Sequence, residues 1–416
     1  ASNDFSLYDQ VLDTAVVVGA VPERYRALLD RDALAGYFAL ARGVQRGGFD
    51  LHALEMTKWF DTNYHYLVPE LHAGQTFQLR DDKPVREFLE AKALGIHTRP
   101  VLIGPVTFLW LAKAVDGSDR FALLDRLLLV YVELLERLAQ AGADWVQDDE
   151  PVLVTDLDDT LREALRRAYA TFAAARRPKL LLATYFGALD DNASLAMQLP
   201  VDGMHVDLVR APTQLEVVLS ALPEDRVLSL GVIDGRNVWR GDLDRALAQA
   251  RTAVARRGAE RIWLAPSCSL LHSPIDVAVE TALNPSLRSW LAFAKQKLEE
   301  LRLLADVLAG KDGADEALID AGRTYVARRT SPLVNRVVVQ QRVKALCDTR
   351  AQRLSSYAER WACQQQRFDL PAFPTTTIGS FPQTQDVRRA RAENKAGRLS
   401  ARDYDRFLEQ ETQKAV

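Results

Sequence analysis

Val101-Leu102-Ile103-Gly104-Pro105-Val106-Thr107-Phe108 is apolar and β-branched, and residues 121–141 that follow carry leucines at helical spacing with charges on the opposite face. The alternation then repeats. Strand-like runs at 145–147, 179–185, 204–209, 227–232 and 262–265 are each followed by an amphipathic helical candidate. Near-continuous apolar strands between helices predict a parallel sheet covered by helices. The runs end in polar or Gly/Pro-containing turns: Asp148-Asp149-Glu150-Pro151, Asp207-Leu208-Val209-Arg210, Asp234-Gly235-Arg236-Asn237 and Pro266-Ser267-Cys268-Ser269. Such ends recur around the whole series, and no G-x-G-x-x-G follows an early strand. Both points favour an α/β fold of the (β/α)8 TIM-barrel type over a doubly wound sheet with one switch point.

From Pro285 onward the character changes. Residues 286–308, 315–327 and 335–366 read as helices without intervening strands, up to the breaker Phe368-Asp369-Leu370-Pro371. The expected organisation is a barrel over 1–310, a helical arm over 311–370, and a linker plus the first segment of a further domain over 371–416. That last segment contains Thr375-Thr376-Thr377-Ile378-Gly379-Ser380-Phe381-Pro382-Gln383, a hydroxyl-rich strand running into a turn. Backbone N–H groups and a hydroxyl there form the kind of donor cluster that holds a carboxylate. The chain starts at Ala1 and ends inside a helical run, 401–416, so it reads as an internal piece of a longer protein.

With 48% hydrophobic and 26% charged residues among 416, the composition is that of a soluble globular protein. A formal charge of -3 leaves no basic footprint, which argues against nucleic acid as a partner. No apolar run approaches the roughly 18 residues of a membrane span. The start lacks the cationic and apolar regions of a secretory signal. Cys268, Cys347 and Cys363 are odd in number and scattered, which argues against a disulfide framework and for the cytoplasm.

Glu55-Met56-Thr57-Lys58-Trp59-Phe60-Asp61-Thr62-Asn63-Tyr64-His65-Tyr66 interleaves aromatics with polar groups. Such a segment suits a flat polar ligand with an anionic end, Lys58 meeting the anion. The bland alternative is an amphipathic surface segment whose rings pack on the core. Asp148, Asp149 and Glu150 are candidates for a general base, a metal shell or a binder of an ammonium group, or else for a cluster paired with barrel arginines. His205 and Asp207 share a strand face as a candidate ligand pair, although a strand histidine is more often hydrogen-bonded structure. Cys268 and His272 suggest a thiolate with a base, but nothing in the sequence brings them together.

The segments Glu55-to-Tyr66, 102–107, Trp145-Val146-Gln147-Asp148-Asp149-Glu150-Pro151, Gly235-Arg236-Asn237-Val238-Trp239, 267–274 and 375–384 together resemble cobalamin-independent methionine synthase, collinearly and over nearly the whole chain. That family is built from two (β/α)8 barrels that look like a duplication. It moves the methyl group of 5-methyltetrahydropteroyltriglutamate to the sulfur of homocysteine. The resemblance implies the first barrel without its opening strand and helix, then the inter-barrel arm and the start of the second barrel. It makes Lys58 a folate-side residue that meets the glutamyl tail. It makes Ile378, Gly379 and Ser380 the holders of the amino-acid part of homocysteine or methionine. The family's zinc rests on a His-x-Cys pair, a Glu and a Cys that all fall beyond Val416. The strand end equivalent by duplication reads Ala183-Thr184-Tyr185 and lacks the pair; Asp207 and Cys268 lie near the other two equivalents. The family's basic opening segment has no counterpart either.

The reading is therefore part of a zinc methyltransferase, with no catalytic or metal-binding residue of its own, monomeric and inactive alone. A non-catalytic scaffold or folate-tail binding module is the alternative. Unrelated barrel chemistry using Asp148, Asp149, Glu150 and His205 is a third reading.

Overall fold

The computed structural model describes residues 2–415 except 4, 347–351, 377–378 and 380–383. The chain divides into two compact units, Ala1–Asn335 and Arg336–Val416. In the first, six strands form one parallel sheet in chain order: β1 (Val101–Ile103), β2 (Trp145–Asp149), β3 (Lys179–Ala183), β4 (Gly203–Asp207), β5 (Val227–Ile233) and β6 (Ile262–Pro266). Val101 pairs with Gln147, Trp145 with Lys179, Gly203 with both Leu181 and Val227, and Leu228 with Ile262. Every strand lies beside its sequence neighbours, so there is no switch point.

Contacts on the inner face show how strongly the sheet curls. Trp145 of β2 and Trp263 of β6 meet edge-on with ring centroids 4.7 Å apart. In a flat sheet, four strand spacings would separate them by roughly 19 Å. The Arg99 guanidinium, just before β1, also lies 5.3 Å from the Trp263 ring. Side chains stand perpendicular to a sheet, so these contacts require the sheet to wrap around its own interior as the wall of a TIM-type barrel. Gly203 makes room for this packing: a Cβ there would come within 3.3 Å of the Trp145 ring and 3.0 Å of Leu181.

The outer face follows from strand alternation. Val146, Leu180, Leu182, Met204, Val206, Leu228 and Leu230 are all buried, in one core with Leu127 and Leu134 of helix Leu124–Ala141, Leu165 and Ala168 of helix Asp159–Ala174, and Leu247 and Ala250 of helix Leu243–Arg257. Burying a leucine this completely contributes about 2 kcal/mol. Asp158 and Asp242 cap two of these helices, accepting from Leu161 and Arg245 N–H.

Three elements differ from the sequence expectation. The apolar stretch 101–108 is not one strand, because the chain turns at Gly104 and Pro105 opens the helix Pro105–Leu111. Proline suits that first helical position, with φ already set and no N–H to leave unpaired. Residues 286–308 are likewise interrupted. A short helix, Pro285–Ser289, is followed by a bridge between Leu291 and Trp239 before helix Ala294–Leu308 begins. Residues 335–366 are divided between helices Val337–Lys344 and Tyr357–Phe368, the second entered through a Ser356/Glu359 capping box and left at Asp369, whose φ of 47° is left-handed. The second unit also contains helices Gln385–Lys395 and Ala401–Ala415.

Gly104 lies where β1 turns into its helix, and an added Cβ would fall 2.1 Å from the Glu150 carboxyl carbon. Gly104→Ala is expected to destabilise the barrel by about 3 kcal/mol, measured as a lower urea midpoint. A midpoint unchanged from the parent would mean that this packing is looser than described.

Candidate functional site

Met56–Lys58 pairs antiparallel with His65–Leu67, Lys58 lying opposite His65. Strands of three residues are too short to stand alone. The hairpin is anchored from below by fully buried Trp59, whose N–H donates to Tyr64 O at 2.8 Å and whose carbonyl accepts from the Thr62 hydroxyl at 2.7 Å. Phe60 adopts a left-handed φ of 50° and stacks on Trp110, centroids 5.5 Å apart and rings 16° from parallel. Asp61 accepts from Arg236 Nη1 at 2.7 Å and lies 3.3 Å from Arg210 Nη2. Arg236 in turn lies 4.9 Å from the centre of the Phe186 ring. His272 makes edge contacts at 5.8 Å with both Tyr64 and Phe186.

These partners follow different strands: Phe186 comes after β3, Arg210 after β4, Arg236 after β5 and His272 after β6. The hairpin tip therefore lies over the C-terminal mouth of the barrel, where barrel loops converge. Lys58 is exposed and forms no ion pair among the described residues. It is an exposed cation on that hairpin, next in sequence to buried Trp59. In the sequence Arg210 and Arg236 belong to polar strand ends, and Arg236 also to the Gly235–Trp239 motif, with no role assigned to either. Their convergence on Asp61 spans 149 and 175 residues and leaves no local signal.

The acidic run is divided by the strand that carries it. Asp148 points outward and accepts from the Tyr169 hydroxyl at 2.6 Å; Asp149 points inward and accepts from Gln147 Nε2 at 2.7 Å and the Tyr185 hydroxyl at 2.9 Å. Glu150 is fully buried, accepting from Val106 N–H, Thr107 N–H and the Thr107 hydroxyl at 3.1, 2.8 and 2.5 Å. Burial raises its pKa to about 7 against those hydrogen bonds. Burial, with Glu150 close by, also holds Asp148 well above the usual carboxylate range.

His205 has both ring nitrogens in contact, Nδ1 with the Ser229 hydroxyl at 3.0 Å and Nε2 with Ser267 O at 3.3 Å, and burial lowers its pKa to about 4. It is a neutral packing histidine. Asp207 accepts from the N–H groups of Phe186, Val209 and Arg210. The Cys268 thiol is pushed up to about 12 by burial and by nearby Asp207, the opposite of a thiolate ligand or nucleophile. Asp207 is taken up by backbone N–H groups, and among the described residues no three His, Cys, Asp or Glu side chains converge as a metal shell. Gly379 is exposed in the second unit, whereas Ile378, Ser380 and Cys347 lie outside the described residues.

The N-terminal domain signature of the cobalamin-independent synthases matches residues 1–257. The chain belongs to the cobalamin-independent synthase family. The catalytic-domain signature of the same synthases matches residues 373–416. The chain is 60% identical over 415 residues to a 5-methyltetrahydropteroyltriglutamate–homocysteine methyltransferase of Xylella fastidiosa, covering 100% of this chain and 55% of that protein. A protein of the same name from Chelativorans sp. is 54% identical over 425 residues, with the same coverage of 100% and 55%. The chain therefore spans about half the length of the curated relatives it matches. Among solved structures, a B12-independent methionine synthase from Shewanella sp. W3-18-1, in complex with selenomethionine, is similar with a TM-score of 0.48 and 16% identity, over 62% of this chain and 74% of that one. No helix among the described residues is long and apolar enough to cross a membrane.

The buried Glu150 gives this chain a pH signature. Its folded pKa of about 7 exceeds the ordinary 4.5, so between those values the folded state holds a proton that the unfolded state has released. The stability it contributes is complete below about pH 4.5 and lost as pH rises through about 7. Glu150→Gln is expected to flatten that decline, measured by urea unfolding at four pH values between 4.5 and 7.5. Parallel curves for the variant and its parent would show that Glu150 does not titrate in this window.

Proposed function

We propose that this chain supplies the folate-side barrel of a methyltransferase that moves the methyl group of 5-methyltetrahydropteroyltriglutamate to homocysteine. The observation that carries the reading is Lys58, an unpaired cation on a hairpin whose tip is anchored over the C-terminal mouth of the barrel. A glutamyl tail is a row of carboxylates, and a mobile ammonium on a flexible stem is suited to meeting whichever one is near. Phe60, Trp110 and Tyr64 supply aromatic surface at the hairpin tip for the flat part of such a substrate.

Gly379, with Ile378 and Ser380, takes the amino-acid end of homocysteine. In this reading Gly379 is a glycine so that the ligand can approach its backbone closely. The zinc that the resemblance implies rests on ligands beyond Val416. Alone, the chain binds the folate tail as a cytoplasmic monomer without transferring a methyl group. The alternative is a non-catalytic scaffold or folate-tail binding module.

Lys58→Ala is expected to weaken binding of the triglutamate form by roughly 1 to 3 kcal/mol, the scale of a charge-assisted hydrogen bond, with little effect on the monoglutamate form or on homocysteine. Calorimetric titration of both folates into the parent and the variant measures it. Equal loss for the two folates, or none, would take Lys58 out of the tail site.

A further inference from the structure

We infer that Asp61 is a positioning residue: its ion pairs with Arg236 and Arg210 tether the Lys58 hairpin to the loops after β5 and β4, fixing Lys58 over the barrel mouth. The role of Lys58 in this inference rests on the folate-side reading above, whereas the tether itself rests on geometry alone.

The hairpin has little stability of its own, with three residues on each strand. Its base is held by Leu67 N–H donating to the buried Asp9 carboxylate at 3.0 Å and by the Tyr66 hydroxyl donating to Leu111 O at 3.1 Å, the exposed Lys113–Glu55 pair at 2.8 Å adding little. Its tip rests on buried Trp59 and the Phe60–Trp110 stack, and Asp61 ties it to the loops after β4 and β5. Arg236 gives Asp61 two contacts, Nη1 to Oδ1 at 2.7 Å and Nη2 to the backbone carbonyl at 3.2 Å. That pair of contacts fixes the loop backbone as well as the side chain. The Arg236 side chain is only 17% exposed and lies against Phe186, so it has lost much of its hydration and needs a counter-charge. Asp234, the nearby acid in sequence, is committed to the Arg236 N–H at 2.8 Å and to Asn237 Nδ2 at 2.6 Å. Asp61 is therefore the carboxylate that neutralises this guanidinium.

Two backbone features agree with a tip held in place. Phe60 and Phe186 both have left-handed φ, 50° and 78°, which side-chain-bearing residues rarely adopt unless their surroundings enforce it. Their rings lie 6.0 Å apart. Lys58, three residues before Asp61, has no ion pair of its own among the described residues, so its location is set by the hairpin backbone.

Amide hydrogen exchange of the 416-residue chain tests the tether directly. In Asp61→Asn, amides of residues 56–67 should exchange about five- to tenfold faster, the range of a partly buried ion pair with an aromatic contact. Amides of β2 should be unchanged, which also reports that the barrel is folded. Asp61→Glu should recover part of the protection, and Arg236→Gln should reproduce the loss. Unchanged hairpin exchange in Asp61→Asn overturns the tether, whatever the ligand data.

Calorimetric titration with 5-methyltetrahydropteroyltriglutamate then tests the positioning role. Asp61→Asn should bind several-fold more weakly, and adding Lys58→Ala should cost less in that background than in the parent. Full additivity with faster exchange overturns positioning of Lys58. If Lys58→Ala alone has no effect on triglutamate binding, the folate-side reading fails, and the exchange arm judges the tether independently.

Discussion

The contact of Trp263 with Trp145 and Arg99 inside the sheet is the constraint on which the rest of the architecture depends. Bulky side chains from β2 and β6 share one interior, so the strands between them must follow an arc. That arc gathers the C-terminal ends of β3 to β6 into one rim. Residues distant in sequence, from Phe186 to His272, then contact one hairpin from the first part of the chain. A flat sheet of the same six strands would present those ends in a row too wide for Asp61 and Tyr64 to span.

The interior is polar where it narrows, and its groups satisfy one another in sequence. Arg99 Nη2 donates to Gln147 Oε1 at 2.9 Å, Gln147 Nε2 donates to Asp149 at 2.7 Å, and the Tyr185 hydroxyl donates to the other oxygen of Asp149 at 2.9 Å. This file runs from the N-terminal side of the sheet toward its mouth. Beside it, His205 is held between Ser229 and Ser267. Buried polar groups arranged in this way give the core one defined packing, since any displaced member would lose a partner that water cannot replace.

The winding of the barrel was legible in the sequence because each parallel strand there is a continuous apolar run ended by polar residues. The break at Gly104-Pro105 was less so: the apolar character continues from Val101 to Phe108 across a change from strand to helix, and burial demands hydrophobicity of both. The run Asp148-Asp149-Glu150 looked like one cluster. Strand alternation sends Asp148 to the helix layer and Asp149 to the interior, and Glu150 turns back to the N–H groups of Val106 and Thr107. Lys58 and its aromatic neighbours stood out because they are contiguous. Arg210 and Arg236 did not, because an ion pair across 149 or 175 residues exists only after folding.

The central claim is that the C-terminal mouth, under the tethered hairpin, is where a polyglutamyl folate binds this barrel. A crystal structure of the 416-residue chain with 5-methyltetrahydropteroyltriglutamate tests it most directly. The account predicts a glutamyl carboxylate within hydrogen-bond distance of Lys58 Nζ, with the hairpin still joined to Arg236 through Asp61. A tail bound at the N-terminal mouth near Trp145 and Trp263, or anywhere that leaves Lys58 in solvent, would contradict it.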